Sequence, residues 1–167
     1  MVNKMILSFK NQFEDSLTVR IEPTGDEYEL PPLANLGLRH VSKENDSTRA
    51  ICIMFEGRVE IWCDSDNYEI DIVYPSAFDR LSRDICVRGG WCGGVVDGAR
   101  TTVDDLLPAS GRITARDFAQ LVIKADGGDE LEKHLHWLEE KFIEFLGASS
   151  VDVSDLQRNL AQPFEDR

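Results

Sequence analysis

The sequence predicts an α+β protein, an N-terminal antiparallel β-sandwich-like domain followed by a small helical unit. Three observations predict it. Residues 48–74 alternate apolar and polar side chains with the period of two that strands require. Turn residues punctuate the first part of the chain about every 8–12 positions, the spacing of short antiparallel strands. Beyond Tyr74 the apolar period lengthens to that of helices, with recurrent helix-start patterns. The expected division is 1–75 for the β domain, 76–160 for the helical unit with a glycine-rich connector at 87–101, and 161–167 for a frayed tail.

Met5, Leu7 and Phe9 alternate with polar neighbours, as do Leu17, Val19 and Ile21, which gives two strands around 11–16. A short extended piece at 27–30 and a strand at 36–41 follow, then a polar loop at 42–48. The central hairpin sets Ile51, Ile53 and Phe55 on one face of its first strand and Val59, Ile61 and Cys63 on one face of its second. A three-residue loop of Glu56, Gly57 and Arg58 would oppose apolar to apolar throughout, Ile53 facing Ile61. A two-residue loop would set Ile53 against Glu60. Because a one-residue slip moves every side chain to the other face, the three-residue loop is expected. The next strand, 68–74, turns Tyr68, Ile70, Ile72 and Tyr74 inward, and Pro75 ends it.

Between the early strands, Glu22, Pro23, Gly25, Glu27, Tyr28, Leu30, Pro31 and Pro32 form an EP-x-G-x-x-Y-x-L-P-P-like segment with a tryptophan-bearing strand downstream. Over about residues 17–75 the chain resembles small uncharacterised bacterial proteins that carry this pattern. The resemblance implies no activity. The sequence departs from the pattern at Leu33, where a glycine would be expected.

In the second part, a capping residue is followed three positions later by a side chain able to return the bond at Ser76 with Asp79, Thr102 with Asp105, Thr114 with Asp117, Asp129 with Glu132, and Ser154 with Gln157. Aspartate is the shorter returning group, so the Asp129 and Ser154 starts are expected to be the firmest. Leu131, Leu135, Leu138, Phe142 and Phe145 make one stripe of a helix ending at Gly147, and Phe118, Leu121, Val122 and Ala125 make the matching face of a helix ending at Gly127. The two should pair antiparallel.

Composition narrows function. With 18 basic and 31 acidic residues the formal net charge is -13, a field that repels nucleic acid and anionic lipid and speeds encounter with basic proteins. No apolar run reaches the ~20 residues of a membrane span, and the N-terminus shows no signal core, so a cytoplasmic protein with reduced thiols is expected. The four cysteines form no metal spacing.

The chemical motifs are weak. The connector 87–98 has five glycines but lacks the lysine and Ser/Thr of a phosphate loop, so it reads as a hinge or as tight turns with close backbone approach. Gly111, Ile113 and Asp117 echo the back half of a calcium-binding helix-loop-helix, yet Leu106 and Pro108 stand where carboxylate ligands belong. His134 and His136 are two apart on a helix and cannot share a metal. No cofactor or metal is expected, and no catalytic residue is assigned.

Trp62 is the most informative side chain. The expected register puts it on the sheet face opposite the core, near Cys52, Met54 and Val73. Either the C-terminal helices cover that face, or Trp62 anchors a partner within an acidic rim of Glu60, Asp64, Asp66 and Asp71. The function expected is a non-enzymatic acidic protein-binding module, of the immunity or inhibitor type, for a basic protein. Two alternatives stand beside it: a small hydrolase or ligand-binding enzyme with a site between the parts, lined by Trp91, Cys92 and His134 or His136, and a structural subunit of a larger assembly.

Overall fold

The computed structural model describes residues 4–41, 50–64, 67–88, 94–96, 98–129 and 131–165. The chain forms two units, Met1–Tyr74 together with Leu160–Arg167, and Pro75–Asn159.

The first unit is a two-sheet β-sandwich. Its strands are β1 (Lys4–Lys10), β2 (Leu17–Glu22), β3 (Asp26–Leu30), β4 (Asn35–Val41), β5 (Ala50–Phe55), β6 (Arg58–Cys63) and β7 (Tyr68–Val73). One sheet has the order β1-β4-β7 and the other β3-β2-β6-β5. The inward residues Leu17, Val19 and Ile21 of β2, Val59 and Ile61 of β6, and Leu36 and Leu38 of β4 interdigitate in one core, with Leu7, Phe9, Tyr68, Ile70 and Ile72 packed against it. Burial of this alternating set stabilises the sandwich, each full aliphatic side chain contributing about 1.5–3 kcal/mol.

Connectivity departs from a simple meander. β1 and β2 belong to different sheets, and so do β6 and β7. β2 and β6 run parallel, Val19 opposite Val59 and Ile21 opposite Ile61, and the intervening strands supply the crossover that parallel neighbours need. All the other strand pairs of this unit are antiparallel.

The hairpin register also differs from expectation. The loop is the two residues Glu56 and Gly57, and Phe55 faces Arg58, Met54 faces Val59, Ile53 faces Glu60 and Ile51 faces Trp62. Gly57 has φ +70 and open space around it, so a glycine in the left-handed region at the second loop position determines the register. Apolar matching loses because β5 lies at the edge, where its residues gain little from facing the core.

Two bends without regular structure are held by polar side chains. Asn11, fully buried, donates to the carbonyls of Asp15 (2.8 Å) and Leu30 (2.9 Å), and its oxygen accepts from the Phe13 amide (2.9 Å). Its backbone pairs with Leu33 and Ala34, and Leu33 sits at φ +65. Of the tail expected to fray from residue 161, the described residues 161–165 instead return to the outer face of the three-stranded sheet. Pro163 is buried, the Phe164 amide donates to Asp71 (2.6 Å), and Arg39 stacks 4.4 Å over the Phe164 ring. Gly37 makes the approach possible, since a Cβ there would overlap both Pro163 and Phe164.

The second unit contains α1 (Ala77–Val87), a small hairpin of β8 (Gly94–Val96) and β9 (Ala99–Thr101), α2 (Val103–Leu106), β10 (Arg112–Thr114), α3 (Ala115–Asp126), α4 (Glu132–Leu146) and β11 (Ser150–Asp152). Phe118 of α3 lies at the centre of its core, 6.1 Å from Phe78 and 5.1 Å from Phe142, ring to ring. Leu135, Leu138 and Phe142 are the buried stripe of α4, whereas Leu131 is exposed ahead of its first turn. Gly127 and Gly147 take the expected left-handed caps.

Helix starts reverse the expected ranking. Ser76 with Asp79 and Thr114 with Asp117 form complete capping boxes, and Asp105 accepts from the Thr102 amide (2.8 Å) and hydroxyl (2.7 Å). Among the described residues the Asp129 side chain caps nothing. The cap position of α4 is Leu131, because the Glu132 side chain is drawn to Arg116 (2.9 Å). At the last start, Asp152 and Asp155 occupy the capping positions of a short 3-10 turn, Val153–Asp155, in place of Ser154 and Gln157. Aspartate's shorter reach suffices when the hydroxyl and the amide lie on the same side of it.

Candidate functional site

The outward face of the four-stranded sheet is built from alternate positions of all its strands. Across it run Glu27 and Glu29 on β3, Thr18, Arg20 and Glu22 on β2, Arg58, Glu60 and Trp62 on β6, and Phe55, Ile53 and Ile51 on β5. The face divides into two halves. On β3 and β2, Arg20 bridges Glu22 (2.6 Å) and Glu27 (3.5 Å); on β6, Arg58 pairs with Glu60 (2.8 Å) and lies 5.0 Å over the Phe55 ring. On the other half the side chains are apolar and open to solvent. Ile51 is 62% exposed, Ile53 40%, Phe55 48% and Trp62 46%.

The exposure of β5 follows from strand count. The facing sheet has three strands and this one four, so β5 overhangs the shared core. Its inward-facing side is therefore exposed too, Met54 at 66%. Among the described residues no strand pairs with the far edge of β5. Edge strands of soluble proteins ordinarily carry lysine, proline or a bulge; Ala50–Phe55 is six uncharged residues without proline.

Of the residues expected to form a rim, Glu60 lies on this face between Trp62 and Arg58. Asp64 is exposed immediately past the end of β6. Asp66 lies outside the described residues. Asp71 belongs elsewhere: it is on β7 in the other sheet, opposite Gly37, and accepts from the Phe164 amide. The face neighbours of Trp62 are Ile51, Ile53 and Phe55, not Cys52 and Met54, a consequence of the one-residue register shift. Val73 is buried on the other sheet. What sequence reasoning missed is the exposure of β5, whose Ile51, Ile53 and Phe55 were expected to face the core. Its lack of charge was legible; its position at an overhanging edge depends on strand order.

The remaining candidates are placed as follows. Trp91 and Cys92 lie outside the described residues. His134 stacks on Trp137 with ring centroids 5.7 Å apart, and His136 is exposed beside Glu140 at 3.3 Å. Desolvation raises the Cys52 thiol above its ordinary value, and burial with the adjacent Asp64 raises that of Cys63, so neither is an activated thiolate. Asp117, the acid of the calcium-like echo, is held by the Thr114 hydroxyl and amide as the returning half of a capping box. Beside β10 is an open recess of about 330 Å3 lined by Ser110, Gly111, Asp152, Ser154 and Gln157 among others, and the described residues contain no cluster of three or more side chains able to hold a metal. In the connector, Gly94 lies against the Ala125 carbonyl where a Cβ would overlap it, a close approach of the expected kind.

Among the described residues no helix is long and apolar enough to cross a membrane. Comparison with protein-family models, curated proteins and solved structures gives no match.

Proposed function

We propose that this protein is a non-enzymatic protein-binding module of the immunity or inhibitor type, which captures a basic protein on the Trp62 face of its four-stranded sheet. The observation that carries this reading is the uncharged, solvent-open strip of Ile51, Ile53, Phe55 and Trp62, bordered by Glu22, Glu27, Glu29 and Glu60 against two arginines. A tryptophan and bulky aliphatics inside a polar border are the composition of an interface centre. Four carboxylates against two guanidiniums, on a chain of net charge -13, favour a cationic partner. Blocking needs no reacting groups, only an anchor and steering.

Capture from native lysate, followed by surface-binding kinetics on the recovered protein, tests this. A basic partner is expected whose association slows at least about tenfold between about 50 and 500 mM salt, as the Debye length contracts from roughly 14 to 4 Å. Glu60→Gln with Asp64→Asn should flatten that response. Trp62→Ala should shorten the lifetime of the complex with little effect on association. A partner whose capture ignores salt and all three substitutions contradicts the reading.

A further inference from the structure

We infer that the outer face of the three-stranded sheet is a receptor for a Pro-Phe turn, which the chain fills with its own C-terminal segment in a contact that opens and admits a free peptide of the same sequence. This site is separate from the Trp62 face, which belongs to the other sheet. The ligand is a turn closed by its own bonds. The Glu165 amide donates to the Gln162 carbonyl (3.2 Å) and the Gln162 amide to the Glu165 carboxylate (2.7 Å). Pro163 takes the second position and Phe164, at φ +64, the third, the arrangement of a type II turn. That third position prefers glycine, and a bulky side chain stays there only where its surroundings hold it.

The sheet supplies those surroundings from alternate outward positions. Gly37 on β4 is the floor: a Cβ there would overlap Pro163 and lie 2.9 Å from the Phe164 ring, and Pro163 is the one buried residue of 160–165. Directly opposite Gly37 on β7, Asp71 accepts from the Phe164 amide (2.6 Å). Further along β4, Arg39 lies 4.4 Å over the ring while pairing with Glu69. In the other direction, the Asn35 side chain donates to that of Gln162 (3.1 Å) and accepts from the Ser8 hydroxyl (2.9 Å), which fixes its amide. Floor, acceptor, cation and donor thus match four features of one turn. Among the described residues the segment forms no strand pair, so it leaves without breaking the sheet. While docked it outcompetes free peptide, because a tethered ligand is present at an effective concentration on the order of millimolar.

The test uses the full chain, isotopically labelled, and a capped peptide probe, Leu-Ala-Gln-Pro-Phe-Glu, the sequence of residues 160–165. In the unmodified chain the Phe164 amide should exchange at least about tenfold faster than those of Leu36 and Leu38 in the middle strand. Phe164→Gly relieves the backbone and removes the ring. It should release the segment, and the peptide should then bind with a Kd below about 1 mM, at least about tenfold tighter than to the unmodified chain. Adding Gly37→Ala should abolish that binding with the circular dichroism spectrum unchanged. Adding Asp71→Ala instead should weaken it at least about fivefold, and decides the matter where the alanine at 37 disturbs the strand. Exchange of the Phe164 amide in step with Leu36 and Leu38 overturns the inference, because the segment would then be an inseparable part of the sandwich. A Phe164→Gly chain whose segment stays as protected as before overturns it too, since the turn alone would hold it. So does a released chain that binds no peptide at about 1 mM, or binds it regardless of Gly37 and Asp71.

Discussion

Leu33 shows how one backbone angle can outrank a side chain. At φ +65 it occupies the left-handed region, where a Cβ costs roughly 1–2 kcal/mol, and its amide donates to the Asn11 carbonyl at 2.9 Å, so the bend cannot relax without losing that bond. The expectation of glycine at this position has a physical basis in that angle. Leu33→Gly is therefore expected to shift stability by less than about 1 kcal/mol in either direction, strain relief offsetting the lost half-buried side chain. Leu33→Val, β-branched, should lower it by about 1–2 kcal/mol. Urea denaturation measures both, and a valine variant as stable as the glycine variant would show that the angle carries no strain.

At the scale of elements, Asp79 ties the start of α1 to the end of the second unit. Burial by itself would raise its carboxyl, but the amides of Asn159 (2.9 Å) and Ser76 (3.0 Å), the Ser76 hydroxyl (2.8 Å) and nearby Arg158 outweigh that and hold it below the ordinary 3.8. A carboxylate depressed in the folded state stabilises above its unfolded value, and that contribution is lost as pH falls through the folded value. The melting temperature should thus drop below about pH 4, and Asp79→Asn should lower it at pH 7 while making the acid limb shallower. An unchanged acid limb would place the acid sensitivity elsewhere. This capping box was legible in the sequence because its signal is local, two residues at a fixed offset. So were the strand positions of the first unit and, of the expected stripe, Leu135, Leu138 and Phe142, whereas exposed Leu131 and the short strands β8 to β11 were not. The hairpin register does not follow from apolar matching, because the Gly57 turn fixes it, and the sheet exchange after β6 is illegible because strand partners are separated by long stretches of chain.

At the scale of the whole molecule, we propose that this acidic protein keeps one uncharged strip open so that a basic partner can close it. The strip arises from a mismatch between four strands and three, and the proposed selectivity rests on the carboxylates that border it across the face. The strip belongs to no single residue, which is why composition alone does not reveal it. The most direct measurement replaces Ile53 with a photo-cross-linking residue, with a control replacement at exposed Lys124 in the second unit, and irradiates each in native lysate. An adduct from position 53 to a basic protein is expected, formed at about 50 mM salt and lost at about 500 mM, with none from position 124. An adduct from position 53 that is confined to the chain itself, that survives high salt, or that appears equally from position 124 would contradict it.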